Sequence, residues 1–92
     1  MLEKDLEARA REWIEARGGR CLKWVCPGHD GAPDRIILLP GGRVIFAEFK
    51  RPHGRLRPLQ ALWQNRLRAL GFDCRVIRSM DDVKKVMEDY EV

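Results

Sequence analysis

Residues 31–50 read GAPDRIILLPGGRVIFAEFK, and the fold is decided here. Arg35 to Leu39 is a short apolar run. Pro40-Gly41-Gly42 is a turn signal, and Val44 to Phe49 (VIFAEF) reads as a second arm. Two such arms around a Pro-Gly-Gly turn predict a β-hairpin. In the second arm Val44, Phe46 and Glu48 share one face, and Ile45, Ala47 and Phe49 share the other.

Upstream of the hairpin, Pro27 to Pro33 (PGHDGAP) is dense in turn formers and reads as a loop. Cys21 to Val25 alternates like a strand. Before it, Leu6, Ala10, Trp13 and Ile14 recur at helical spacing between about Glu3 and Arg17, and Gly18-Gly19 marks the stop. Downstream, Pro52 to Arg57 is a loop. Pro58 to Leu70 predicts a second helix, with Pro58 in its first turn and Gly71 as its stop. The buried side expected for that helix is Leu59, Leu62, Trp63, Leu67 and Leu70. Cys74 to Ile77 is a last short strand. Ser79 caps a closing helix that carries Val83, Val86 and Met87, with Asp81 and Asp82 in the first turn. The order α-β-β-β-α-β-α predicts an α/β fold, a mixed central sheet flanked by helices, in one domain spanning residues 1–92.

The composition is that of a soluble globular chain: 45% hydrophobic, 35% charged, net charge +4. No apolar run is long enough to span a bilayer, so no membrane role is expected. The opening MLEKDLEARA is a charged amphipathic pattern rather than a signal peptide, which points to the cytoplasm. Cys21, Cys26 and Cys74 form no CxxC pair, and only His29 stands near the first two. Reduced thiols rather than a zinc site are expected. Charge is unevenly spread. Seven arginines lie between Arg51 and Arg78 against the single acid Asp73, while the last fourteen residues hold five acids and two lysines. The arginine fork suits phosphate oxygens, so a polyanionic partner fits this pattern alongside a merely solvated basic face. Trp13 and Trp63 fall on apolar helix faces and read as packing groups; Trp24, on a strand that could be an edge, is open to base stacking. His29 and His53 read as solvated loop residues.

Antiparallel pairing of the hairpin arms brings Asp34, at the foot of the first, beside Glu48, near the end of the second. Glu48 and Lys50, two apart on a strand, point to one face. Two adjacent carboxylates repel, and a divalent cation with its preference for oxygen removes the conflict. With Lys50 to orient water or offset charge at a phosphate, the set suits phosphodiester hydrolysis. The alternative is Asp34 capping a turn and Glu48 pairing with Lys50 on the surface. Glu48 shares its face with Val44 and Phe46, which argues against that alternative.

In order along the chain stand Pro27-Gly28, Gly31-Ala32-Pro33-Asp34-Arg35-Ile36, Pro40-Gly41-Gly42, Glu48-Phe49-Lys50, Gly54, Leu56, Gln60 and Leu70-Gly71-Phe72. This set resembles the PD-(D/E)xK nuclease superfamily and, within it, the virus-type replication-repair nuclease (VRR-NUC) family, over essentially the whole chain. Ala32 stands where valine is more usual. The resemblance implies a restriction-endonuclease-like core in a stand-alone nuclease domain that uses Mg2+ or Mn2+. Asp34, Glu48 and the backbone carbonyl of Phe49 would be metal ligands, Lys50 would act near the attacking water, and Gln60 would stand beside the site. The family also places a helix-1 glutamate near the metal. Counting back from Gly18 favours Glu7, while the opening Glu-x-x-Ile/Leu pattern favours Glu3, and both stand. Stand-alone members resemble homodimeric resolvases of branched DNA, so the resemblance implies a homodimer acting on four-way junctions. Arg51, Arg55, Arg57, Arg66 and Arg68 would lie on backbone phosphates. The cytoplasm of a bacterial cell, with the chain encoded by host or phage, is the expected setting. A DNA-binding module with a vestigial site and a catalytic subunit of a larger repair or restriction complex are the alternatives.

Overall fold

A computed structural model describes residues 2–92. Its elements are α1 (Glu3–Glu15), β1 (Arg20–Lys23), β2 (Arg35–Leu39), β3 (Arg43–Phe49), α2 (Pro58–Ala69), β4 (Asp73–Ile77) and α3 (Met80–Asp89), in the order expected. The hairpin is the centre of the molecule. β2 and β3 pair antiparallel with Leu39 opposite Arg43 and Arg35 opposite Ala47. Gly41 and Gly42 turn the chain at positive φ (88° and 74°), a backbone region cheap for glycine alone. β1 adds antiparallel to β2, and β4 adds parallel to β3 after the α2 crossover. The result is one mixed four-stranded sheet in the order β1-β2-β3-β4.

Alternation along β3 supplies both faces of the sheet with apolar groups. On one face Cys21, Ile37, Leu39, Ile45, Ala47, Phe49 and Ile77 pack under α1 (Leu6, Ala10, Ile14) and α3 (Val83, Val86, Met87). Ser79 caps α3 by accepting from the Asp82 N–H at 3.3 Å. Trp13 packs against the edge of this core, with the Arg17 guanidinium 3.5 Å from its ring centroid. On the other face a smaller cluster of Phe46, Leu67 and Cys74 is joined by Trp24, Ile36 and Trp63.

The seating of α2 differs from the periodic reading. Its buried residues are Gln60, Gln64 and Leu67, whereas Leu59, Leu62 and Leu70 are 50%, 40% and 72% exposed. The reason lies on the sheet beneath. β3 presents a buried carboxylate at Glu48, and β4 offers the Cys74 carbonyl. Gln60 bonds to the first, and Gln64 reaches the second through Arg68. Satisfying these polar groups outweighs hiding two or three leucines, since an unpaired buried charge is the costlier defect.

Candidate active site

The hairpin register, continued one step beyond Arg35 and Ala47, sets Asp34 opposite Glu48. Glu48 is 5% exposed. Its Oε2 accepts from the Asp34 backbone N–H at 3.1 Å, and its Oε1 accepts from Gln60 Nε2 at 2.7 Å. Gln60 is oriented in turn, because its Oε1 accepts the Arg57 N–H at 2.8 Å at the start of α2. The Asp34 side chain turns across the strand end, where Oδ1 accepts from the Phe49 N–H at 3.4 Å. The loop that delivers Asp34 crosses α2 closely at Gly31. That residue has φ +89°, and a Cβ there would lie 2.6–2.7 Å from the backbone of Leu59.

Burial raises both carboxyls. Asp34 is pushed up to about 6, by desolvation first and then by the charge of Glu7. Glu48 is pushed up to about 7, by desolvation and then by Asp34; the Asp34 N–H and the Lys50 ammonium act in the opposite direction. Two neighbouring carboxyls that ionise reluctantly, because partial desolvation and each other's charge oppose it, are poised to receive positive charge.

Glu7 stands on the Asp34 side of the site and is bonded at 3.1 Å by Arg35 Nε, in a pair with side chains 20% and 15% exposed. Glu3, one turn earlier on α1, is felt as a like charge at Glu48. Asp34, Glu48, Lys50 and Gln60 are thus brought together, with Glu7 and Glu3 at the rim. Arg51 and Arg55 are exposed in the loop that follows Lys50, and Arg57 ends it. Arg66 lies over the Trp63 ring at 5.9 Å. Arg68 differs from these because its guanidinium is taken up by the Cys74 carbonyl (2.8 and 3.1 Å) and Gln64. Arg35 gains a role that the sequence reading does not assign it, holding Glu7 across from Asp34; its place directly after Asp34 is the signal for it.

Among the described residues no group of three or more His, Cys, Asp and Glu side chains converges as a complete metal cage. The donors present are carboxylates, among them buried Glu48 and half-buried Asp34, which repel each other. Such a set fits a hard divalent cation of the Mg2+ or Mn2+ type that fills its remaining positions with carbonyl, water or substrate oxygen. It does not suit zinc. Burial pushes the thiols of Cys21 and Cys74 up to about 11, and His29 packs edge-on against Trp63 with ring centroids 5.7 Å apart.

No family model matches the chain. A solved structure described as a VRR_NUC domain superposes with a TM-score of 0.87 at 34% identity, covering 96% of each chain. The chain is also 40% identical over 79 residues to "Putative nuclease p44" of Acyrthosiphon pisum secondary endosymbiont phage 1, covering 86% of this chain and 85% of the relative. The chain belongs to the VRR-NUC family. It is a nuclease of VRR-NUC type, with that family's mixed sheet and flanking helices. No helix of this VRR-NUC domain, among the described residues, is long and apolar enough to cross a membrane.

Proposed function

We propose that this VRR-NUC domain is a metal-dependent endonuclease that hydrolyses DNA phosphodiester bonds at branched structures, as a homodimer acting on four-way junctions. The observation that carries the chemistry is the pairing of half-buried Asp34 with buried Glu48, both carboxyls ionising late and Lys50 beside them. Asp34, Glu48 and the Phe49 carbonyl would hold a Mg2+ or Mn2+ ion, with Glu7 available from α1. When bound, the ion supplies Lewis-acid stabilisation of charge on the phosphate. The residues themselves do the rest. Gln60 and the Asp34 N–H hold Glu48 in one orientation before substrate arrives. Lys50 orients the attacking water and offsets charge that develops on the phosphate oxygens. Water adds at phosphorus and one P–O bond breaks, leaving a phosphomonoester on one strand end and a hydroxyl on the other.

Arg51, Arg55, Arg57 and Arg66 contact backbone phosphates in this reading, with binding that depends strongly on salt. Arg68 contributes less, its donors being engaged within the fold. A two-fold dimer would present two sites to symmetric strands of a junction. The test is incubation with a labelled immobile four-way junction and a matched linear duplex, with Mg2+, Mn2+ or EDTA, alongside Lys50→Ala. Paired nicks near the branch point, lost in EDTA and in the variant, are expected. Equal cutting of both substrates would remove the junction assignment. Tight binding with no cleavage under any metal would remove the nuclease mechanism.

A further inference from the structure

The start of the loop after Lys50 lies on one flank of α1. The cleft there, of about 700 Å³, is lined by Leu2, which precedes α1, by Asp5 of α1, and by Arg51, Pro52, His53 and Gly54. On the other flank Lys4, Glu7, Ala8 and Arg11 recur at spacings of three and four and so share a face. That face looks across to Lys23 and Arg35, and between them runs a hollow of about 230 Å³. A second hollow of about 350 Å³ shares Glu7, Lys23 and Arg35 with the first and ends at Trp24, Val25 and Asp34. The two make one groove that leads from the candidate metal site out between α1 and Lys23, at the end of β1, the edge strand of the sheet.

Its charge is organised. Glu7 is taken up by Arg35, whereas Lys4, Arg11 and Lys23 make no ion pair among the described residues and are exposed. The small Ala8 leaves the floor open between them. At the inner end Trp24 is half-buried, one flank of its indole packed on Phe46 at 4.9 Å between ring centroids. Its backbone N–H bonds to the Asp34 carbonyl at 2.9 Å, which ties the ring's position to that of a catalytic carboxylate. Unpaired cations in a row and a braced aromatic wall are the two elements with which proteins hold a nucleic-acid strand, by phosphate attraction and by stacking.

We propose that this groove seats the DNA strand running from the scissile phosphate towards β1, its phosphates on Lys4, Arg11 and Lys23 and its first base or sugar against Trp24. The inference rests on the nuclease reading above and extends it. The substrate then crosses the site between the loop that begins at Arg51, on one side of α1, and this groove on the other.

The test is binding of a fluorescently labelled four-way junction in EDTA, followed by anisotropy over a series of salt concentrations. Lys4→Gln/Arg11→Gln/Lys23→Gln is expected to flatten the slope of log K against log salt by about 2 to 3 and to weaken binding on the order of a hundredfold at 0.1 M salt. Arg9→Gln/Lys84→Gln/Lys85→Gln, the same charge change away from the groove, should stay within a few-fold of wild type. Trp24→Ala is expected to weaken binding roughly five- to a hundredfold with the salt slope unchanged, and Trp24→Phe to recover most of the loss. Trp24→Leu, which keeps an apolar side chain against Phe46 but offers no ring to a base, should not recover binding, and that separates stacking from damage to the Phe46 contact. A groove triple variant on the wild-type salt line, while Arg51→Gln/Arg55→Gln weakens binding, would overturn the groove and leave the nuclease reading intact. A wild-type protein that neither binds nor cuts the junction would overturn both.

Discussion

Glu48 meets three neighbours of different kinds: an amide donor from Gln60, a backbone donor from Asp34, and the Asp34 carboxylate itself. The donors stabilise its charged form, while burial and Asp34 oppose it and prevail. The folded pKa values of Asp34 and Glu48, about 6 and about 7, therefore lie above their unfolded values near 4. For acids shifted upward the folded state binds protons more tightly. Their contribution to stability is full below about pH 4 and is lost as pH rises through 6 to 7. The metal-free protein should accordingly melt at a lower temperature at pH 8 than at pH 5, and thermal denaturation in EDTA across that range would show it. Asp34→Asn removes the repulsion. It should stabilise the metal-free protein at pH 8 by about 1–2 kcal/mol, a value reduced from the full shift because the site touches solvent. The same variant should bind Mn2+ far more weakly, as read by paramagnetic resonance. At Gln60 the expectation runs the other way. Gln60→Leu strands the Arg57 N–H and takes the donor from Glu48, at a cost of about 1–3 kcal/mol in denaturant unfolding.

At the scale of elements, α2 sits with a polar face inward because β3 places a carboxylate beneath it. That seating has consequences for its leucines. Leu62, 40% exposed, should tolerate replacement by Gln at a cost of no more than about 1 kcal/mol, whereas Leu67→Ala, beneath the helix against Phe46 and Cys74, should cost about 2–5 kcal/mol. A sequence-period reading of the helix expects both to be costly, so urea unfolding of the pair distinguishes the two seatings. Gly31 joins the Asp34 loop to the same helix. Gly31→Ala meets both an unfavourable φ and the Leu59 backbone, and the φ alone costs about 1–3 kcal/mol. It should also weaken Mn2+ binding, because the clash pushes the Asp34 loop away from α2.

At the scale of the whole molecule, the candidate site ties together elements that are otherwise separate layers. Glu7 comes from α1 on one face of the sheet, Gln60 from α2 on the other, and Asp34 and Glu48 from the hairpin between them. A cation held there would bridge both cores of a domain too small to rest comfortably on either. Mn2+ at a hundred times its dissociation constant should stabilise the folded chain by about 2.7 kcal/mol, which in a domain of this size raises the melting point by roughly 10–20 °C, reversibly with EDTA. Sedimentation measurements on the same samples test the homodimer, for which the expected mass is twice 10.7 kDa.

The order of elements, the hairpin with its turn, the Ser79 cap and the Asp34…Glu48-Phe49-Lys50 pattern follow from local chemistry and strand parity. They are written in residues that are near neighbours in sequence or two apart on a strand, and so they are legible there. The pairing of Asp34 with Glu48 was equally legible, because a hairpin fixes register once its turn is known. What only the tertiary structure decided are the relations between distant segments. Hydrophobic periodicity marks an apolar stripe on α2, but it carries no information about the buried carboxylate that the opposing sheet presents, and that carboxylate turned the helix. Glu3 and Glu7 share a face and are equivalent in periodicity. Arg35, 28 positions from Glu7, holds Glu7 on the Asp34 side of the site, leaving Glu3 nearer Glu48. Lys4, Arg11 and Lys23 likewise become one surface only when β1 is laid as an edge strand beside α1, since charge converges in space through packing rather than through spacing along the chain.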